Sequence, residues 1–268
     1  MKVLNKTILV TGGGSGMGRE LTLHLLSKQA KVIAIDINES ALQETVSLAA
    51  SKQDSLKTFV VDITNKNAVE QLLSDAINAF GSVDGIINNA GIIQPFIKIN
   101  ELDYDAIERV MNVNFYGTVY ITKTFLPHLL TRSEAHIVNV SSMGGFLPVP
   151  GQSVYGASKA AVKLFTEALH SELTNTNVKI TVVFPGAVNT NITKNSGLNV
   201  PAQTKTENKS MKTLSPAKAA QIMIDGMERN EYRVLVGSDA KFMDFIYRFN
   251  PKFAAGFINK KMKALLGE

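Results

Sequence analysis

Cysteine is absent from this chain of 268 residues. The protein therefore has no disulfide framework, no thiolate nucleophile and no cysteine ligand for a metal ion, and we expect no metal site. Charge is also scarce, since charged residues make up 19% of the chain and hydrophobic residues 45%. This composition excludes a disordered, collagen-like or coiled-coil protein. A chain of this length can bury enough apolar surface to fold without disulfides.

Long hydrophobic runs are missing as well, so we expect no helix that spans a membrane. The first apolar run, residues 7–11, is too short for a secretory signal and is followed at once by glycines. We therefore expect a cytoplasmic protein. The net charge of +5 is mild, and its residues form no nucleic-acid motif with aromatic side chains, so we expect no nucleic-acid partner.

No linker rich in Pro, Gly or Ser divides the chain, and we interpret residues 1–268 as a single domain. Short β-branched runs predict strands at 7–11, 31–37, 58–63, 84–88, 136–140, 179–184 and 233–236. Segments of helical spacing lie between them, at 18–28, 38–51, 66–80, 104–130 and 153–174. This alternation predicts an α/β fold with a doubly wound parallel sheet and helices on both faces.

A glycine-rich turn follows the first predicted strand, where residues 11–18 read Thr-Gly-Gly-Gly-Ser-Gly-Met-Gly. Without Cβ atoms the backbone can turn sharply and approach a pyrophosphate, and the next helix offers free N–H groups to it. No Gly-Lys-Ser/Thr follows, so the turn is not a Walker loop. The turn predicts a dinucleotide site, and a merely flexible turn is the alternative.

Asp36 ends the second predicted strand, 18 residues after Gly18. An acid there can accept hydrogen bonds from the ribose hydroxyls of the adenosine and repels a 2′-phosphate. Ile37 follows it, and the glycine turn contains no Arg or Lys, so NAD is favoured over NADP. A helix cap or a solvated strand end is the alternative role of Asp36. Asp62, after the third strand, is a similar candidate beside the adenine.

Tyr155 and Lys159 lie four residues apart in a helical segment, which places both side chains on one face. Ser142 follows the fifth strand, and ligands of open α/β sheets bind at such carboxyl ends. An ammonium about 4 Å away can lower the pKa of a phenol by up to about 3 units, and desolvation opposes this. The set predicts acid–base chemistry on a carbonyl or alcohol, with Ser142 donating to the substrate oxygen.

The ordered motifs resemble those of classical short-chain dehydrogenase/reductases. The matching segments are Thr11-Gly12-x-x-x-Gly16-x-Gly18, Asn88-Asn89-Ala90-Gly91, Asn112-Val113-Asn114, Ser141-Ser142, Tyr155-x-x-x-Lys159 and Pro185-Gly186 with Thr190. The resemblance implies a Rossmann-type sheet of about seven strands. It also implies a homodimer or homotetramer that associates through helices 104–130 and 153–174.

The resemblance further implies a catalytic role for Asn114, Ser142, Tyr155 and Lys159. Tyr155 exchanges the proton, Lys159 lowers its pKa and holds the nicotinamide ribose, and Asn114 anchors a relay water. Ser141 competes for the role of Ser142, which the 12-residue spacer to Tyr155 favours. The expected cofactor-binding residues are Gly12, Ser15, Gly16, Met17, Gly18, Asp36, Asp62, Ile63, Asn89, Ala90, Gly91, Tyr155, Lys159, Pro185, Gly186, Val188 and Thr190.

The substrate site is less well defined by the sequence. Its candidate residues are Gln94, Met143, Phe146 and Gln152. The segments that contain them are mostly apolar, which predicts a secondary alcohol or ketone with a hydrophobic body. The alternative is that Phe146 and Leu147 pack in the core or in a subunit contact. Residues 191–215 are polar and read as a lid over the substrate, or else as a surface loop.

Residues 239–268 form an amphipathic extension in which aromatic residues recur at helical spacing among lysines and arginines. It either packs on a partner subunit, closes the substrate site or lies on an anionic membrane surface. The whole pattern predicts an NAD-dependent alcohol dehydrogenase or ketone reductase acting on a small molecule. The alternatives are an NAD-binding redox sensor without turnover and a membrane-surface protein.

Overall fold

The structure is a computed structural model that describes residues 1–198 and 213–262. Seven strands form its centre, namely β1 (Thr7–Thr11), β2 (Lys31–Asp36), β3 (Leu56–Val60), β4 (Gly85–Asn88), β5 (Ala135–Val140), β6 (Val178–Pro185) and β7 (Arg233–Val236). All pair in parallel in the order β3-β2-β1-β4-β5-β6-β7. The predicted doubly wound sheet of seven strands is therefore confirmed.

Helices connect the strands and cover both faces of the sheet. They are α1 (Gly16–Ser27), α2 (Glu39–Leu48), α3 (Lys66–Phe80), α4 (Tyr104–Met111), α5 (Gly117–Leu130), α6 (Ser153–Glu172), α7 (Ile192–Asn195), α8 (Pro216–Glu228), α9 (Ser238–Phe249) and α10 (Pro251–Met262). A π-helical turn, Asn112–Tyr116, joins α4 to α5. Within the two described ranges, no helix is long and apolar enough to cross a membrane.

Each strand at the centre of the sheet contributes to two hydrophobic cores. In β1, Ile8 and Val10 pack into the core shared with α1 and α8, whereas Leu9 points into the core shared with α3 and α5. All three side chains are fully buried. Because successive residues of a strand face opposite sides, a sheet covered on both faces requires the unbroken apolar runs seen in the sequence.

The third strand begins two residues earlier and ends three residues earlier than predicted, at Leu56–Val60 instead of 58–63. Leu56 and Lys57 pair with Val32 and Ile33 of β2, although a lysine does not look like part of a buried strand. The reason is that β3 is at the edge of the sheet, where Val60 is half-exposed. An edge strand does not need apolar residues on both faces.

The strand order reverses between the neighbouring parallel strands β1 and β4. From β1 the chain continues to β2 and β3 on one side of the sheet, and from β4 it continues to β5, β6 and β7 on the other side. A crevice opens at such a switch point, outside the carboxyl ends of the strands. Beyond β7, α9 packs against α10 and against the turn Met143–Gly145. A small core forms there from the buried side chains of Leu147, Met243, Ala254 and Ile258.

Candidate active site

The glycine-rich turn connects β1 to α1 in a conformation that depends on its glycines. Gly12 and Gly16 have φ values of +69° and +52°, in the left-handed region that favours glycine. Gly18 packs so closely that a Cβ there would lie 1.9 Å from the carbonyl oxygen of Gly12. Helix α1 begins at Gly16 and has no acidic side chain in its first turn. The turn therefore presents a helix N-terminus whose partial positive charge is not neutralised locally.

A cavity of about 540 Å³ lies beside this turn at the switch point. Its wall includes five of the predicted cofactor residues besides Asp36, namely Gly12, Asp62, Ile63, Ala90 and Gly91. The volume, the glycine surface and the helix N-terminus fit a dinucleotide. The residues present therefore match the group that the sequence predicts.

Two carboxylates border the cavity, and neighbouring backbone groups hold each of them. Asp36 accepts hydrogen bonds from the backbone N–H groups of Gly14 and Asn38, both at 3.0 Å. Asp62 accepts from the N–H and the hydroxyl of Thr64, both at 2.8 Å. Each acid thus has a fixed orientation, and Asp36 also connects the end of β2 to the glycine turn.

Several predicted cofactor residues support the crevice without lining the cavity. The Asn89 amide donates to the Thr11 carbonyl at 3.0 Å and so ties β4 to β1. Met17 packs against the core, and Val188 forms a bridge with Leu214. These residues shape the backbone around the site. The spacing of the motifs does not distinguish such a supporting role from direct contact with the cofactor.

Residues after β6 lie between this cavity and a second one. Pro185 and Gly186, predicted at the cofactor, line the second cavity instead. Thr190 approaches the glycine turn, where a Cβ at Gly16 would lie 3.4 Å from its Cβ. The carboxyl end of β6 therefore contributes to both parts of the site.

Asn114 sits in the π-helical turn between α4 and α5 and is fully buried. Its Oδ1 accepts from the N–H of Ile92 at 2.8 Å, and its Nδ2 donates to the Ile92 carbonyl and to the Ser158 hydroxyl, both at 2.9 Å. A wide turn breaks the regular helical ladder and is frequent at functional sites. The amide connects the loop after β4 to α6, the helix that carries Tyr155.

Lys159 is buried, and its ammonium donates to the Val140 carbonyl at 3.0 Å. Burial lowers the pKa of Lys159 to about 8, because a charged amine is disfavoured away from water. A Cβ at Gly91 would lie 3.1 Å from the Lys159 Nζ and 3.2 Å from the Asn114 Oδ1. The ammonium and the amide thus meet beside a residue of the cofactor cavity.

Tyr155 lies near the start of α6, and its hydroxyl is near Ser142. Burial raises the pKa of Tyr155, and the hydrogen bond with Ser142 lowers it by less. The shift is therefore opposite in direction to the fall of this pKa expected from the spacing to Lys159. The reason is that desolvation of the phenolate dominates, while the Lys159 ammonium donates to the Val140 carbonyl.

The two neighbouring serines have different partners. The Ser141 hydroxyl donates to the Lys159 carbonyl at 2.7 Å and is buried. The Ser142 hydroxyl accepts from the Gly144 N–H at 3.0 Å and lines the second cavity together with Tyr155. Of the two serines, Ser142 therefore lies in the cavity wall beside Tyr155, whereas Ser141 does not line that cavity.

The second cavity, of about 390 Å³, adjoins the Tyr155 and Ser142 side chains and is mainly apolar. Met143 and Gln152, two of the candidate substrate residues, line it. Much of the remaining wall comes from the C-terminal extension, through Asp239, Phe242, Met243, Phe257, Ile258, Lys261 and Met262. The described part of the extension therefore covers one side of this cavity.

Gln94 and Phe146 were predicted to contact the substrate, and the structure places neither in the cavity wall. Phe146 packs against Phe184 and Tyr247, with ring centroids 5.6 and 5.9 Å apart. Gln94 is fully buried, and its side chain bonds only to backbone in the described structure. Both side chains lie beneath the cavity wall. The Phe146 ring packs against other aromatic rings there, and the Gln94 amide forms hydrogen bonds with backbone groups.

Gln94 has a specific structural role at the start of α6. Its Oε1 accepts from the N–H groups of Val154 and Tyr155, at 2.8 and 3.0 Å, and its Nε2 donates to the Gly151 carbonyl at 3.1 Å. Gln152 donates in turn to the Gln94 carbonyl at 2.9 Å. A side chain 60 residues away in the chain thus caps the helix that carries Tyr155.

Asp239 is a site residue that the motifs do not reveal. Its carboxylate accepts from the Ala187 N–H at 2.6 Å, and a Cβ at Gly186 would lie 2.3 Å from its Oδ1 and Oδ2. The glycine after Pro185 is therefore required by the carboxylate packed against it. The contact joins α9 to the end of β6, which no local pattern predicts.

The predicted lid, 191–215, falls partly outside the described residues, which end at 198 and resume at 213. In the described part, the Asn195 amide donates to the Ser15 hydroxyl at 2.7 Å. The Ser196 hydroxyl accepts from the Ile93 N–H at 2.9 Å. These bonds fix the start of the segment to the glycine turn on one side and to the loop after β4 on the other.

Residues 6–200 match the family described as short chain dehydrogenase. The putative oxidoreductase SadH of Mycobacterium tuberculosis (strain H37Rv) is 37% identical over 249 residues, which cover 91% of this chain and 90% of that protein. An uncharacterized oxidoreductase of Staphylococcus aureus (strain N315) is 38% identical over 189 residues, or 70% of this chain and 80% of that protein.

Solved structures with the same fold include complexes with both dinucleotides. A short-chain dehydrogenase/reductase from Burkholderia phymatum in complex with NAD has a TM-score of 0.84 and 25% identity, covering 94% of this chain and 96% of that one. A short-chain dehydrogenase from Burkholderia cenocepacia in complex with NADP has a TM-score of 0.80 and 24% identity, covering 96% and 99%. The second likeness concerns the fold alone.

Proposed function

Since this chain belongs to the short-chain dehydrogenase family of oxidoreductases, we propose that it interconverts a secondary alcohol and a ketone with an apolar body, using NAD. One observation carries the proposal. Tyr155 and Ser142 line an apolar cavity, while Lys159 and Asn114 lie behind them beside Gly91, which lines the dinucleotide-sized cavity.

The side chains divide the acid–base work between them. A nicotinamide bound beside Tyr155 would supply or accept the hydride. The Tyr155 hydroxyl donates a proton to the substrate oxygen in reduction, and in oxidation the Tyr155 phenolate accepts the proton of the alcohol. The Ser142 hydroxyl orients that oxygen and stabilises charge that develops on it. We propose that the buried Lys159 ammonium, which donates to the Val140 carbonyl in the structure, stabilises the phenolate when it forms, because an opposite charge counts for more away from water.

The cofactor preference rests on Asp36. Its carboxylate borders the cavity and is held by Gly14 and Asn38, so it presents fixed negative charge to the adenosine ribose. Such a charge accepts from ribose hydroxyls and repels a 2′-phosphate. Asp36→Ala is expected to weaken NAD binding about tenfold and to reduce discrimination against NADP. Tighter binding of NADP than of NAD by the unaltered protein would contradict the preference.

The reaction is tested by incubating the protein and NAD or NADH with a panel of alcohols and ketones and measuring the change in nicotinamide absorbance. Tyr155→Phe is the matched variant, since it removes one hydroxyl, and we expect its turnover to fall at least about a thousandfold. Binding of NAD without turnover of any substrate would instead support the redox sensor. A preference for small hydrophilic polyols over apolar alcohols would contradict the apolar substrate.

We also propose a homo-oligomer that associates through the helical segments 104–130 and 153–174. Tyr104 in α4, Tyr116 in the π-helical turn and Leu164 in α6 leave large apolar surfaces exposed there, at 82%, 44% and 67%. Sedimentation velocity tests this, and a monomer at all concentrations would contradict it.

A further inference from the structure

Four phenylalanine side chains stand exposed within twelve residues at the end of the described chain. Phe242, Phe245, Phe249 and Phe253 have relative exposures of 53%, 64%, 81% and 58%. Single exposed apolar residues are ordinary, whereas a contiguous aromatic patch marks an interaction site. We refer to these four residues as the phenylalanine patch.

Helix α9 has two different apolar faces. Ala240 and Met243 are buried against the protein, whereas Phe242, Phe245 and Phe249 follow each other at spacings of three and four and point outward. The rings of Phe245 and Phe249 lie 5.3 Å apart, so they form one surface. Closing the substrate cavity therefore accounts for only one face of the helix.

The exposed charged side chains next to the patch in the chain are all basic. They are Lys241, Lys252 and Arg248, of which Arg248 pairs with Asp244. The two acids of this region face inward, since Asp239 accepts from the Ala187 N–H and Asp244 pairs with Arg233 and Arg248. In the described residues, no acidic side chain pairs with either lysine. A second copy of this face would repel the first, whereas an anionic lipid surface would attract it.

The patch is continuous with the substrate cavity. Phe242 belongs to both, because it is half-exposed and also lines the cavity beside Phe257, with ring centroids 6.4 Å apart. Any apolar phase that covers the patch also meets the edge of the apolar cavity. A substrate dissolved in that phase would reach Tyr155 along aromatic side chains without crossing water.

We propose that the phenylalanine patch docks on an anionic lipid surface and that the enzyme takes its alcohol or ketone from that surface. Aromatic rings at the acyl boundary with lysines at the headgroups are the arrangement of an interfacial helix. The docking stands on the exposed side chains alone, whereas the delivery of substrate rests on the proposed function.

The experiment is co-sedimentation of the full chain with phosphatidylcholine vesicles, with and without phosphatidylglycerol. We expect binding to the anionic vesicles that weakens with salt. The double variant Phe245→Ser/Phe249→Ser should reduce the partition coefficient at least about tenfold. Lys241→Gln/Lys252→Gln should reduce it on anionic vesicles only. The control is Leu48→Ser, an apolar position at the end of α2 that is 54% exposed and outside the patch, which should bind like the unaltered protein.

Circular dichroism and thermal melting of each variant verify that the fold is retained. Absence of vesicle binding, or equal binding by the unaltered protein and the phenylalanine variant, overturns the proposal. So does concentration-dependent self-association that the phenylalanine variant abolishes, since a second copy would then cover the patch. Turnover of a water-soluble alcohol is measured in parallel without vesicles, and its absence would contradict the proposed function while leaving the docking result intact.

Discussion

The dinucleotide cavity and the substrate cavity are built in different ways. The first is formed mainly by the glycine turn and by residues at the ends of β2, β3 and β4, with further wall residues from α4, the π-helical turn and α7. The second also contains seven side chains of α9 and α10, which reach it from the far end of the chain. Under the proposed function, local strand–turn–helix geometry builds most of the cofactor cavity, whereas packing between distant parts of the chain completes the substrate cavity.

Lys159 lies between the two cavities, and its replacement is expected to have the largest effect. Lys159→Met should lower kcat/KM by about a thousandfold, because it removes the ammonium that is proposed to stabilise the Tyr155 phenolate. It should also stabilise the fold. The lysine pKa falls from 10.5 unfolded to about 8 folded, so folding stability is lost as pH falls from 10.5 to 8 and stays lower below pH 8.

At pH 7 the loss amounts to about 3 kcal/mol at most, and methionine removes it. Urea unfolding at pH 7 and pH 10 measures the difference, which should shrink at the higher pH. A variant less stable than the unaltered protein at both values would show that the bond to the Val140 carbonyl outweighs the burial of charge.

Glycine substitutions separate the two regions directly. In Gly18→Ala the new Cβ would meet the Gly12 carbonyl oxygen at 1.9 Å, so the turn must shift, and we expect NAD binding to weaken about a hundredfold. In Gly256→Ala, on α10, a Cβ meets nothing within 4 Å, and the helix should gain about 0.5–1 kcal/mol. Titration calorimetry and thermal melting test the pair. Equal NAD affinity in both variants would refute the role of the turn.

Gln94 connects the loop after β4 to the helix that bears Tyr155. Gln94→Met leaves the N–H groups of Val154 and Tyr155 without their acceptor, so we expect a loss of about 3 kcal/mol in stability and about tenfold in kcat. NAD affinity should be unchanged. Gln71→Met is the control, since its side chain makes only an exposed bond to Asp75. A loss of NAD affinity without a change in kcat would contradict the assignment.

The wall of the substrate cavity should tolerate change best. Phe257→Ala is expected to raise KM for an apolar alcohol about fivefold, because it removes one ring from a wall of many side chains. NAD affinity should stay the same. Phe253→Ala, on the same helix but outside the wall, serves as the control. An unchanged KM in Phe257→Ala would show that the substrate binds elsewhere.

The contrast between the cavities also explains what the sequence predicts and what it does not. The alternating runs and the glycine turn depend on neighbours in the chain, so the sheet and the position of Asp36 follow from them. Gln94 and Asp239 act through partners about 60 and 50 residues away, and no periodicity encodes such contacts. Whether the pKa of Tyr155 is raised or lowered depends mainly on the burial of its ring, and the spacing between Tyr155 and Lys159 does not specify that burial.

The π-helical turn that contains Asn114 also sets the rotation of everything after it. Helix α5 continues without a break from this turn and places Ile121, Phe125 and Leu129 in the core beneath the sheet. Deleting one residue from the turn would rotate that stripe by about 100° and expose it to water. The wide turn therefore holds the Asn114 amide and also sets the rotation of the fourteen residues of α5. Shortening it would require the core on that side of the sheet to repack.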